Sequence, residues 1–140
     1  MTTTTTDALS TAREILRAQP FSRLVGADVS AFGDGGATLE LPIREDLLQQ
    51  NGFVHGGVLS YAADNAITFA AGAALGPAVL TAGYSIDYVR PAVGVTLRAR
   101  AEVLHAGRRQ AVVRCELLTV DEEGAETLCA LAQGTVRTVG

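Results

Sequence analysis

Asp64 asks more of its surroundings than any other residue in the chain. It stands two turns into the run GGVLSYAADNAITFAAGAAL, where nearly every neighbour is apolar. A carboxylate withdrawn from water is costly unless it is paired, hydrogen-bonded or employed. Ser60, Asp64 and Thr68 fall at i, i+4 and i+8, so on a helix they form one polar stripe, with Tyr61 and Asn65 beside it. The run opens with Gly56 and Gly57, preceded by His55. The first amides of a helix have no intrahelical acceptor and sit at the positive end of its dipole, so either glycine could donate to an oxygen that becomes negative. Without a Cβ, the chain also lets a carbonyl approach closely. An oxyanion donor and a carboxylate that can act as nucleophile or base are the two parts that acyl transfer needs. Each alone has a structural explanation, because most interior polar groups are merely satisfied ones and a glycine pair suits any tight turn. Their combination points to chemistry.

The elements that must position these residues follow from periodicity. The apolar run predicts one long helix over 57–75, ended by Gly76 and Pro77. It is apolar on nearly every face, which implies enclosure by other elements, and Ala62, Ala66, Ala70 and Ala73 suit close approach to a sheet. The same run barely reaches membrane length and contains Asp64, Asn65 and Thr68, so a membrane span is not expected. Before it, a short amphipathic helix is expected from about Asp7 to before Pro20, behind a fraying Thr run, and two short strands are joined by a turn at Gly33–Gly36. After it, four segments alternate at period two, with turns at Pro91–Gly94, Ala106–Arg108 and Asp121–Gly124. Short turns make the sheet antiparallel. The fold class is therefore α+β, with five or six antiparallel strands curled around one long helix.

Composition removes several functions. A chain of 140 residues makes one ordinary domain, and its net charge of −4 lacks the basic footprint of nucleic-acid binding. Its eleven basic residues are all Arg, so anion recognition falls to guanidinium. The N-terminus has no basic segment followed by an apolar one, hence no secretory signal is expected. His55 and His105 have no ligating residues at metal spacing, so no metal is expected. Alternation puts Cys115 on a buried face and Cys129 on the opposite, half-exposed one, which argues against a disulfide and fits a reducing compartment.

With these residues in view, NGFVHGGVLSYAADNA, AGYSIDYVRPA and HAGRR together resemble the hotdog-fold acyl-CoA thioesterases of the phenylacetate-degradation type. The resemblance spans about residues 20–139, leaving 1–19 as a tail with a short helix and 20–140 as the thioesterase domain. It implies hydrolysis of a coenzyme A thioester carrying an aryl or medium-chain acyl group, with no cofactor. Asp64 would be nucleophile or general base, the Gly56 or Gly57 backbone the oxyanion donor, and His55 a residue that shapes the loop through hydrogen bonds. Relatives often carry an Asn six residues before the His, where this chain has Gln49, so the assisting amide is Gln49, Gln50 or Asn51. Thr81 stands where some relatives hold a water-positioning hydroxyl, although a plain strand threonine is the simpler reading. Thr68 joins the substrate-binding group through the stripe. For the phosphates of coenzyme A, Arg90 and the Gly107-Arg108-Arg109 turn are the candidates. Arg98 and Arg100 read as solvent-facing.

A sheet with open edges predicts a homodimer. The resemblance adds that Asp64 of one subunit meets the glycines of the other, and that two dimers form a tetramer in the cytoplasm. Two alternatives use the same cleft. One is a non-catalytic acyl-CoA binding or sensing domain, for which the N-terminal segment is too short to hold the usual DNA-binding part. The other is a hydratase or dehydratase, whose His and carboxylate pattern is absent.

Overall fold

The computed structural model describes residues 5–139. Helix α1 covers Thr5–Arg17 and α2 covers Pro20–Val25. Strands β1 (Asp28–Gly33) and β2 (Gly36–Pro42) form the expected hairpin, and a 3-10 turn at Glu45–Leu47 leads towards α3 (Gly56–Leu75). Strands β3 (Val79–Tyr88), β4 (Thr96–Ala106), β5 (Gln110–Val120) and β6 (Glu126–Thr138) complete the chain. The six strands lie in the order β1-β2-β4-β5-β6-β3, every neighbouring pair antiparallel. Helix α3 packs on all six.

Burial explains why the long helix lies inside. Leu59, Ala62, Ala63, Ala66, Ile67, Ala70 and Ala71 are all at most 2% exposed. They meet Leu39 and Leu41 of β2, Leu97 and Ala99 of β4, Val113 and Leu117 of β5, and Val136 of β6 in one apolar core. Close contact is possible because the sheet also leaves side chains out: a Cβ on Gly134 of β6 would sit 3.4 Å from Ile67 Cγ2 of α3 and 2.9 Å from Tyr84 Cβ. Ala73 does not share this role. It is half-buried and faces a cleft described below.

Three sequence expectations need correction. The first helix is followed by a second, because Pro20 opens α2 at its first turn, where a missing N–H costs nothing, instead of only ending α1. Most of the Thr run lies outside the described residues, and α1 already begins at Thr5. Cys129 is fully buried, not half-exposed. It occupies a bulge, since Leu117 pairs with Ala130 while Leu118 pairs with Leu128, and the extra residue interrupts the alternation. Arg98 and Arg100 are not free in solvent either: Arg98 contacts Glu40 and Glu126 at 2.5 and 2.6 Å, and Arg100 joins Glu126. These two guanidiniums hold the Glu126 carboxyl below its ordinary range. Among the described residues no helix is long and apolar enough to cross a membrane.

Candidate active site

The site is built along the seam where α3 lies against β3, the strand at one end of the sheet. Antiparallel pairing with β6 puts Thr81 opposite Val136 and Tyr84 opposite Gly134. Simple alternation would send residues 81 and 84 to opposite faces. A bulge between Thr81 and Gly83 supplies one extra residue, so both side chains face the helix.

Four polar links then cross the seam. Thr81 donates its hydroxyl hydrogen to Oδ1 of Asp64 at 2.7 Å, and Thr68 lies 2.7 Å from Thr81 Oγ1 and 2.8 Å from the Asp64 carbonyl oxygen. One turn earlier, the Ser60 and Tyr84 hydroxyls are 2.5 Å apart. At the start of the helix, Tyr88 donates to the Gly56 carbonyl oxygen at 2.9 Å. The stripe that sequence spacing predicts is thus held by a matching row of hydroxyls on β3. Asp64 is half-buried, and one of its carboxylate oxygens is free to meet a substrate or a water.

His55 is the N-cap of α3, and its Nδ1 accepts the Gly57 N–H at 2.9 Å. Two consequences follow. The imidazole carries its proton on Nε2, and Gly57 is no longer a free donor, which corrects the expectation that either glycine could serve. Gly57 is glycine for a steric reason: a Cβ there would lie 3.0 Å from Nδ1 and 3.2 Å from Cε1 of His55. At Gly56 the nearest atoms to a Cβ are those of the Tyr88 ring, at an ordinary 3.5 Å. The Gly56 amide is the one that remains available at this helix N-terminus.

The preceding loop fixes His55. Leu48 bridges Val54, the His55 amide donates to the Leu47 carbonyl at 2.8 Å, and the Val54 amide donates to Ala92 at 3.0 Å. Gln49 accepts the Asn51 amide on its side-chain oxygen, so its carbonyl end serves the loop. A groove of about 400 Å³ brings Gln49, Gly56, Tyr88 and Arg90 together. Asn51 is exposed and outside it. A second, larger cleft of about 500 Å³ lies between α1 and α3, with Thr68 and Asn65 among the residues that line it.

The structure separates residues that the sequence reading grouped. Gly56 and Asp64 are eight positions apart on one helix, which is about 12 Å at 1.5 Å per residue, too far for both to reach one carbonyl. Arg90 follows β3 at the Gly56 end of the seam. Gly107, Arg108 and Arg109 form the β4–β5 turn at the other end, where the Thr138 amide donates to the Arg109 carbonyl at 2.9 Å. Sequence reasoning missed Tyr84 and Tyr88, although their spacing of four along a strand placed them on one face.

Comparison with known proteins assigns the class. Residues 51–126, which hold the His-Gly-Gly turn, α3, β3, β4 and β5, match the model of the thioesterase superfamily. A Mycobacterium tuberculosis relative is 33% identical over 123 residues, 84% of each chain. The acyl-coenzyme A thioesterase PaaI of Escherichia coli is 28% identical over 103 residues, 73% of each chain. A thioesterase family protein of Silicibacter pomeroyi has a solved structure that matches with a TM-score of 0.86 at 28% identity, covering 95% of this chain and 99% of that one. The chain belongs to the thioesterase superfamily, and its architecture is the hotdog fold of PaaI-like thioesterases.

Proposed function

We propose that this enzyme hydrolyses an acyl-CoA thioester, with an aryl or medium-chain acyl group, to the free acid and coenzyme A. The observation that carries this reading is the half-buried Asp64 carboxylate, oriented by Thr81 and open on its other oxygen, in a fold that also presents an unengaged Gly56 amide. Asp64 either attacks the thioester carbonyl or takes a proton from the water that does. The carbonyl oxygen gains negative charge and is held by the Gly56 N–H. The C–S bond then breaks, and the thiolate leaves and takes up a proton; where Asp64 is the nucleophile, water then cleaves the acyl-Asp64 anhydride, releasing the acid and restoring the carboxylate.

The two parts meet across a homodimer. Strand β3 has a paired side, against β6, and an open one, and Leu80, Tyr84 and Tyr88 on it are exposed. Such an edge is capped most simply by its own copy. Ser60 is midway between Gly56 and Asp64, and it bonds Tyr84 in the middle of β3. A two-fold axis near that pair sets Gly56 of one subunit against Asp64 of the other. The same operation brings Arg90 of one subunit towards the Gly107-Arg108-Arg109 turn of the other, a basic mouth for the phosphates of coenzyme A. A dimer of dimers and a reducing, cytoplasmic setting, in keeping with two buried free thiols, complete the proposal.

Free-thiol release from a panel of acyl-CoAs, with crotonyl-CoA hydration as control, tests it. Thiol release at catalytic rates is expected. Binding without release supports a sensing domain, and hydration without release supports a hydratase.

A further inference from the structure

Tyr88 ends β3 with its ring beside the turn that starts α3. Its place there is fixed from the core. Tyr88 pairs with Ala130 of β6, and the next two amides, of Val89 and Arg90, both donate to the Cys129 carbonyl, at 2.9 and 3.2 Å. Cys129 is fully buried at the β5–β6 bulge, so the end of β3 is pinned to the interior. The phenol then donates to the Gly56 carbonyl oxygen at 2.9 Å. Neither partner needs this bond. Tyr88 is 52% exposed, so water could satisfy its hydroxyl, and a carbonyl in the first turn of a helix is already used by the amide four residues on.

The bond matters for what else holds the same peptide group. The Gly56 carbonyl and the Gly57 amide belong to one planar unit, and the Gly57 amide donates to His55 Nδ1 at 2.9 Å. One side chain therefore grips each end of the plane. The neighbouring backbone groups are taken too: the His55 amide donates to the Leu47 carbonyl at 2.8 Å, and the Val58 amide to the His55 carbonyl at 2.9 Å. The Gly56 N–H is left unengaged among fixed groups. Without a Cβ, Gly56 would otherwise have wide freedom in φ and ψ, at a helix end of the kind that frays. Building on the thioesterase reading, we propose that Tyr88 is a positioning residue: its hydroxyl and the His55 imidazole hold the Gly56–Gly57 peptide from both ends, and so keep the Gly56 N–H aimed at the thioester oxygen. Tyr88 acts through Gly56 and not on the reacting atoms. It removes a rotation that the donor would have to give up on reaching the transition state, so its effect falls on kcat.

The test is Tyr88→Phe, which deletes only the hydroxyl. Two quantities are compared with wild type: kcat and KM for an acyl-CoA that the enzyme hydrolyses, and the order parameter of the Gly56 N–H from NMR relaxation of glycine-labelled protein. The order parameter is expected to fall below the rigid-backbone value of about 0.85. In parallel, kcat should drop by on the order of tenfold with KM near wild type. Melting temperature and oligomeric state should stay at wild-type values, because the lost hydroxyl is exposed; a large fall in either assigns Tyr88 to structure and overturns the proposal. An unchanged order parameter overturns it whatever happens to turnover. A lower order parameter with unchanged kcat, or with a loss carried by KM alone, overturns the part of Tyr88 in catalysis and leaves the thioesterase reading standing. If wild type hydrolyses no acyl-CoA, yet the Gly56 amide loosens in the variant, the grip on the peptide stands and the thioesterase reading falls.

Discussion

The hydroxyl of Thr81 donates to Oδ1 of Asp64 across 2.7 Å, tying the one acidic residue of α3 to the end strand of the sheet. The bond leaves the carboxylate one oriented and one open oxygen. If Asp64 does the chemistry, Asp64→Asn keeps the shape and lowers kcat by on the order of 10²-fold or more, with ligand affinity near normal. Thr81→Val, which removes only the tie, should lower kcat by about tenfold through misorientation. Steady-state kinetics beside analogue binding separate the two effects. Wild-type turnover by the Asn variant contradicts a catalytic role.

The two glycines of the turn should respond differently. Gly57→Ala places a Cβ 3.0 Å from His55 Nδ1, so the imidazole must shift by a few tenths of an ångström and its N-cap bond to the Gly57 amide is weakened, at a cost of up to about 1 kcal/mol in stability. Gly56→Ala has room beside Tyr88 and should melt close to wild type, while hindering approach to its amide and lowering kcat. Paired melting curves and turnover numbers check the split. Equal destabilisation by both would mean that Gly56 is only a structural turn residue.

Arg90, Arg108 and Arg109 are assigned to the phosphates of coenzyme A and not to the reacting carbonyl. Substituting them with Gln should raise KM and leave kcat near wild type, because uniform binding is lost equally from ground and transition states. A pantetheine thioester without the nucleotide should not sense the substitutions. Equal damage with both substrates would assign these arginines to structure.

Burial pushes the Cys115 thiol up to about 12 from an ordinary value near 9.0. The folded protein therefore holds this proton in a pH range where the unfolded chain has released it. Its contribution to stability is intact below the unfolded value and is lost as pH rises from about 9 towards 12. Cys115→Ala should show a shallower alkaline loss of stability than wild type in urea titrations at pH 8 to 11. A parallel pH profile in the two proteins contradicts the assignment. At neutral pH neither Cys115 nor Cys129 should react with a thiol reagent until the protein unfolds.

Strong periodicity made most of this fold legible. The apolar run of α3 and the period-two segments of β4, β5 and β6 are long enough that pattern alone locates them. Helix α2 was not legible: six residues are too few for a helical period, and Pro20 reads equally as the end of one helix or the start of the next. Cys129 was misplaced because a bulge shifts alternation by one and leaves no mark in composition. At the site, the stripe of Ser60, Asp64 and Thr68 was visible in the spacing, but its partners were not. Which residues of β3 face the helix depends on the bulge at Thr81–Gly83. The capture of the Gly57 amide by His55 is likewise a rotamer fact, invisible in a sequence that shows only two adjacent glycines. The cleft between α1 and α3 escaped notice because Ala73, read with Ala62, Ala66 and Ala70 as a close-packing residue, lines it instead.

The central claim is that one site draws Asp64 from one chain and the Gly56 amide from another. Mixing two inactive variants, Asp64→Asn and Gly56→Val, tests it most directly. In a mixed dimer, one of the two sites receives both intact parts. With random exchange at equal concentrations, activity should return to about a quarter of the wild-type level per site. Mass spectrometry of differentially labelled chains establishes that exchange has occurred. Recovery towards that value is the predicted result; no recovery despite proven exchange means that each chain builds its site alone and contradicts the account.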